Sequence, residues 1–313
     1  MKDIAEKVLK GEPRAIARLI SLAENNDPKA KDAMKKLHPH TGKAHVIGIT
    51  GVVGSGKSTL ICELTRQYRK QEKKVGIIAV DPTSPFSGGA LLGDRIRMME
   101  LATDKDVFVR SLGTRGMLGG LTSAVYDVVE IFDAAGKDII FVETVGVGQA
   151  EVDIIKIADT TIVIIVPGLG DSIQTLKAGV MEIADIYTVN KADRDGVEQA
   201  VAELQSLVEI SCMDAERAIS IVETVAKEKK GIEELIKEIE SHKKYIKNST
   251  EFDKNRRLRY EAELVEIIRK HLMNFIFDEE KLKIKIEDLL DKISKKQLDP
   301  YTAAEEILGK ILK

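Results

Sequence analysis

The chain is poor in the residues that would mark several common protein classes. It has two cysteines, Cys62 and Cys212, in 313 residues. That excludes a disulfide-stapled framework; one disulfide is formally possible, but both are expected as buried thiols. It has no apolar run of about 18 residues or more, so no membrane-spanning helix is expected. It has no dense basic block: 48 Lys and Arg stand against 51 Asp and Glu, a formal charge of -3. Nothing global therefore argues for nucleic acid. The five histidines, His38, His40, His45, His242 and His271, are scattered. The one close pair, in "HPH" at 38–40, has no cysteine or carboxylate cluster beside it and reads as linker, not metal site. The opening "MKDIAEKVLKGEPRAIARL" is charged throughout and lacks an apolar signal core, so a cytoplasmic location is expected.

What is present is a chain 43% hydrophobic, enough for one large core or a core with a smaller companion. Three regions separate. Residues 1–44 carry a 3.6-residue apolar period (Ile4, Val8, Leu9; Ile16, Leu19, Ile20), broken by "GEP" at 11–13 and closed by the linker "HPHTGK". Residues 45–240 alternate helical stretches with short β-branched runs: "HVIGIT", "KVGIIAVD", "DVFVRSL", "KDIIFVE", "TTIVIIVP", "DIYTVN" and "RAISIVET". Most of these runs are continuously apolar. That pattern predicts an α/β fold whose mostly parallel sheet is covered by helices on both faces, with functional loops at the strands' carboxyl ends. Residues 241–313 hold no strand pattern. "RRLRYEAELVEIIRKHLMNFIF" is a long amphipathic helix with Leu258, Leu264, Ile267, Ile268, Leu272 and Ile276 on its apolar side, and two shorter helices follow. This tail either caps the preceding domain or forms a dimerisation or docking arm.

"GVVGSGKS", 51–58, fits G-x-x-x-x-G-K-[ST] between a strand and a helix. Gly51, Gly54 and Gly56 let the backbone turn tightly and present N–H groups to phosphate oxygens. Lys57 brings a positive charge to the β- and γ-phosphates, and the Ser58 hydroxyl can ligate Mg²⁺. Ser55 and Thr59 complete the candidate nucleotide-binding loop, and the following helix aims its positive end at the anion. A dinucleotide fingerprint would need glycine at Thr59. "NKAD", 190–193, ends a strand after this loop: Asp193 can accept from guanine N1–H and the 2-amino group, which adenine lacks, with Asn190 and Lys191 supporting the base. Glu143, after a buried run, falls where P-loop proteins place a carboxylate near Mg²⁺. Gly146, three residues on, can offer a bare N–H to a γ-phosphate. Asp81 and Asp94, in "VDPTSPFSGGALLGDRIRM", are candidates for Mg²⁺ or for water positioning.

Together, "GVVGSGKST", "VDPTSPFSGGALLGDRIRM", "ETVGVGQAEVDI", "GLGDSIQTLKAGVMEIAD" and "VNKAD" closely resemble the methylmalonyl-CoA mutase-associated GTPases, over about residues 1–245. These are chaperones of adenosylcobalamin-dependent acyl-CoA mutases, once labelled lysine/arginine/ornithine transport ATPases. The resemblance implies a P-loop fold of the signal-recognition and Mrp-like branch and a homodimer formed through the C-terminal arm. It implies slow GTP hydrolysis, speeded by the mutase, that gates cofactor loading and protects or reactivates that enzyme. It also implies that Ser58, Asp81, Asp94 and Glu143 surround Mg²⁺ and the γ-phosphate. Asp94 would then orient water, and 168–179 would be a switch loop from which Lys177 reaches the nucleotide; an exposed lysine at a helix start is the plain alternative. Two positions depart from the family pattern: Val53 replaces a usual proline, and Val225 replaces the serine of the guanine loop. Ala226 can still give its N–H to the guanine carbonyl. Two other readings stand beside this one, a nickel-insertion GTPase of the same branch and a nucleotide-dependent scaffold.

Overall fold

A computed structural model describes residues 3–25, 27–81, 98, 100–113, 123–144, 153–168, 183–211, 218–249, 251–278 and 280–311. The seven β-branched runs become seven strands: β1 (His45–Gly51), β2 (Val75–Asp81), β3 (Val107–Gly113), β4 (Ile139–Glu143), β5 (Thr160–Ile165), β6 (Ile186–Asn190) and β7 (Ser220–Thr224). They form one sheet in the order β3-β2-β4-β1-β5-β6-β7, with every pairing parallel. All strand carboxyl ends therefore reach one edge. Strand β4 enters between β2 and β1, which sets Glu143 opposite Ile49, two residues before the glycine-rich turn.

Side-chain parity sorts the two faces. Ile47, Ile49, Val75, Ile77, Ile139, Phe141, Ile162 and Ile164 form one core with Leu60, Ile61 and Leu64 of α4 (Lys57–Lys70). Leu235, Ile236 and Ile239 of α7 (Ile232–Asn248) join the same core. Val163, Ile165, Tyr187 and Val189 point the other way, against Leu204 of α6 (Val197–Ser211). Helix α5 (Ser123–Ala134) also packs against β2 and β4. Each fully buried Leu, Ile or Val contributes about 1.5–3 kcal/mol, so strands apolar on both sides are stable only when sandwiched in this way.

The N-terminal region forms α1 (Ile4–Leu9), α2 (Pro13–Glu24) and α3 (Pro28–Leu37). Proline stands at the first position of α2 and α3, and Asp27 caps α3 by accepting from Lys29 N–H at 2.9 Å. Helix α2 packs on α5. The linker is pinned to α5 as well: Asp133 accepts from the N–H groups of Gly42 (2.6 Å), Lys43 (3.1 Å) and Ala44 (3.0 Å).

Residues 1–259 form one compact unit and 260–313 a second. Helix α7 runs through position 240 with buried residues on either side, Ile239 and His242 among them. In the first unit, Arg259 donates to Asp159 at 2.6 Å, and the other oxygen of that carboxylate accepts from Val46 N–H at 2.8 Å. Helix α8 (Glu251–Asp278) crosses the division, followed by α9 (Glu280–Ser294) and α10 (Pro300–Ile311). Leu289 and Ala303 are buried in the second unit, and Lys285 pairs with Glu306 at 2.8 Å. The expected apolar side of the long helix is exposed at Leu258, Leu264, Ile267, Ile268 and Leu272, as are Val265 and Phe275. Among the described residues no helix is long and apolar enough to cross a membrane.

Candidate nucleotide site

The glycine-rich turn joins β1 to α4 at the carboxyl edge of the sheet. Gly51, Gly54 and Gly56 have φ of +143°, +81° and +95°, values an L side chain rarely adopts. Gly56 is the residue before α4, so the first N–H groups of that helix open onto the turn. Lys57 is buried, and its ammonium donates to Gly51 O (2.7 Å) and Val52 O (3.2 Å). The charge is thus folded onto the loop whose amides would meet a phosphate. Val53 is exposed at the tip of the turn, and Thr59 is half-buried on the first turn of α4.

Parity brings the carboxylate to this point. Glu143 shares the face of Ile139 and Phe141, the face that α4 covers. Its Oε1 accepts from Ser58 Oγ at 2.7 Å, with both residues buried. A hydroxyl and a carboxylate are hard oxygen donors. Mg²⁺ is commonly held by one or two protein groups, its other positions going to phosphate oxygens and water. The pair fits that ion, and Ser58 and Glu143 are the described residues that would hold it. The nearby Cys62 is not a competing soft ligand: burial, aided by the negative charge of Glu143, pushes its thiol up to about 11 even against Arg66.

The "NKAD" turn is fastened to the phosphate loop. Asn190 Nδ2 donates to Ser55 O at 2.7 Å, and Lys191 Nζ donates to Gly54 O at 2.7 Å. Lys191 itself sits at φ +60°. Asn190 Oδ1 accepts from Thr224 Oγ1 (3.1 Å) and from Ala226 N–H (3.2 Å). One buried amide thus joins the ends of β6 and β7 to the turn after β1. Asp193 is exposed, three residues beyond Asn190. The Ala226 N–H expected to meet a guanine carbonyl is turned toward Asn190, so a base oxygen would share that donor. Val225 takes part through its backbone, which pairs with Lys230 to close the loop 225–230, so serine is not needed to shape it.

The structure therefore brings Gly51, Gly54, Ser55, Gly56, Lys57, Ser58, Thr59, Glu143, Asn190, Lys191, Asp193 and Ala226 to one edge. Asp81 ends β2 with Gly113 opposite on β3. Asp94, Gly146 and Lys177 lie outside the described residues. Thr224 was not foreseen; its one signal was a hydroxyl closing a strand that precedes the expected base loop. Among the described residues no group of three or more His, Cys, Asp or Glu could hold a metal.

A phosphate cradle built this way at the edge of a parallel sheet, with an Asn-Lys-x-Asp turn tied to it, defines a P-loop nucleoside triphosphatase of the guanine-binding kind. Comparison with known proteins narrows that class. The chain belongs to the methylmalonyl-CoA mutase-associated GTPase MeaB family, whose sequence model matches residues 16–281. It is 49% identical over 313 residues to a Pyrococcus horikoshii protein named as a GTPase, covering 99% of this chain and 98% of that one. It is 35% identical over 228 residues to a fused isobutyryl-CoA mutase of Geobacillus kaustophilus, covering 70% of this chain and 21% of the mutase. The crystal structure of an LAO/AO transport system kinase matches with a TM-score of 0.71 at 24% identity, covering 99% of this chain and 97% of that one. That structural match speaks for the fold. The protein is thus a GTPase of this family.

Proposed function

We propose that this GTPase hydrolyses GTP with Mg²⁺ and acts as a homodimeric chaperone of an adenosylcobalamin-dependent acyl-CoA mutase, gating cofactor loading and protecting or reactivating the enzyme. The Ser58–Glu143 contact at the amino end of α4 carries the catalytic half of this reading. The family's link to methylmalonyl-CoA mutase, and a relative in which related sequence lies within an isobutyryl-CoA mutase, support the other half.

In this reading the loop amides and Lys57 hold the β- and γ-phosphates, while Asp193 selects guanine, with Asn190 and Lys191 supporting the base and the loop. Mg²⁺, when bound, would supply charge neutralisation to the phosphoryl group being transferred. Ser58 and Glu143 would hold that ion beside the first turn of α4. Phosphoryl transfer asks mainly for positioning and electrostatic stabilisation. No arginine is placed at the described site, so basal turnover is expected to be slow and to rise when a partner completes it. Asp81, Asp94, Gly146 and Lys177 are proposed on the sequence alone. The exposed apolar residues of α8, among them Leu264, Ile268, Leu272 and Phe275, fit a face covered by a second copy.

The test is GTP turnover with and without a purified adenosylcobalamin-dependent mutase, alongside sedimentation of the GTPase alone. Stimulation of turnover, with cobalamin absorbance in the captured partner, is expected. Identical turnover across methylmalonyl- and isobutyryl-CoA mutases, with no complex formed, would sink the chaperone reading.

A further inference from the structure

Where β1 and β4 part at the carboxyl edge, two buried hydroxyls meet. Thr50 is the residue before Gly51, and Thr144 the residue after Glu143. Thr144 Oγ1 donates to Thr50 Oγ1 at 3.0 Å, and both side chains are shut off from solvent. The backbone adds a second tie, Thr144 N–H to Ile49 O at 3.2 Å, which carries the β1–β4 ladder one residue past Glu143. By parity the two hydroxyls lie on the sheet face opposite Glu143 and Ser58. Glu143 is thus gripped immediately behind its own α-carbon while its carboxylate reaches forward to α4.

Stability alone does not account for the pair. Two valines would fill similar volumes, and replacing both members of a buried hydrogen-bonded pair by apolar groups of the same shape is often nearly neutral. An O–H···O contact does something an apolar contact does not: it sets the spacing of two strands to within tenths of an ångström. Here it sets the spacing between the phosphate loop, which begins at Gly51, and the carboxylate proposed to face Mg²⁺.

We infer that Thr144 and Thr50 form a positioning clamp that holds the Glu143 carboxylate at Mg²⁺-binding distance from Ser58 and the phosphate loop. The inference rests on the proposed Mg²⁺ role of Glu143 and Ser58. The clamp does not touch nucleotide. Its effect is confined to the species in which Mg²⁺ is engaged, and it leaves the Mg²⁺-free guanine site alone.

The experiment measures the Mg²⁺ concentration that half-saturates binding of a fluorescent, non-hydrolysable GTP analogue, together with GDP affinity in EDTA and the melting temperature. Thr144→Val is expected to raise the Mg²⁺ requirement about tenfold, the low end of what outer-shell partners of a metal ligand contribute. GDP affinity in EDTA should stay at the wild-type value, and Thr144→Ser, which keeps the hydroxyl, should restore the Mg²⁺ requirement. Thr50→Val and the double valine variant should match Thr144→Val, because the hydroxyls act as a unit. Those two variants decide the matter if Thr144→Val alone fails to fold. A lowered melting temperature with an unmoved Mg²⁺ requirement in the valine variants would overturn the clamp and leave a structural role only. Glu143→Gln separates the layers. If it leaves the Mg²⁺ requirement unmoved, the underlying metal reading fails. If it raises that requirement while the folded valine variants do not, only the clamp fails.

Discussion

Replacing Gly56 by alanine should damage this site far more than the same change at Gly54, although both glycines lie in one loop at positive φ. Alanine at φ +95° or +81° carries a backbone penalty of about 1–2 kcal/mol in either place. At Gly54 that is the whole cost, since an added Cβ meets nothing within 4 Å. At Gly56 the added Cβ would stand 2.5 Å from Asn190 Nδ2. Asn190 has no easy retreat. It is buried, and it bonds Ser55 O (2.7 Å), Thr224 Oγ1 (3.1 Å) and Ala226 N–H (3.2 Å). Displacing it leaves at least one buried polar group unpaired, at about 1–3 kcal/mol. Gly56→Ala is therefore expected to lose about 2–5 kcal/mol, a fall of roughly 5–15 °C in melting temperature for a unit of this size. GDP affinity should weaken by about 10- to 100-fold as the amide swings off the phosphate loop, each 1.4 kcal/mol being about tenfold. Gly54→Ala should lose only about 2–6 °C. Thermal unfolding without nucleotide and calorimetric GDP titration of both variants are the assays. A Gly56→Ala protein no less stable, and no weaker for GDP, than Gly54→Ala would refute the tie through Asn190.

Other expectations follow from single groups. Lys57→Ala should leave the fold intact and slow GTP hydrolysis by about 100-fold or more, measured as phosphate release, because a preorganised charge on the transferring phosphoryl group is lost. Asp193→Asn should weaken GTP and spare xanthosine triphosphate, read by competitive binding; equal loss of both nucleotides would contradict the role given to the carboxylate. His45 predicts a pH effect. Burial pushes its imidazole down to about 3, opposed by Asp159 and reinforced by Lys243, His242 and Lys247. An unfolded histidine titrates near 6.5, so between about 3 and 6.5 the unfolded chain binds the extra proton and stability rises with pH. Urea unfolding should show stability falling as pH drops below 6.5, and His45→Gln, which can keep a bond to Thr160, should flatten that fall.

Much of the fold was legible because its causes are local. A run such as "KDIIFVE" is apolar at both parities, which only a strand covered on two sides tolerates, and it and the other six β-branched runs became strands. "GVVGSGKS" and "NKAD" were readable for a different reason: phosphate and guanine chemistry each demand particular side chains at fixed spacing along one stretch of chain. The tail was readable as helices, but its apolar side is exposed at Leu264 and Ile268, and periodicity does not say what such a face is for. Thr50 and Thr144 carried no signal. They are 94 positions apart, and two threonines at the ends of apolar runs look like ordinary strand caps.

Residue order along the chain was enough to specify a glycine-rich turn of the phosphate-loop kind between a strand and a helix, because the atoms that can cradle a phosphate come from a few consecutive residues. Three-dimensional folding decided the rest: that β4 inserts beside β1, that Glu143 therefore faces Ser58 while Thr144 faces Thr50, and that Asn190 reaches back to Ser55. Those contacts join residues separated by 85, 94 and 135 positions. Their geometry depends on strand order and on which side of the sheet each side chain leaves, and neither is set by the neighbouring sequence.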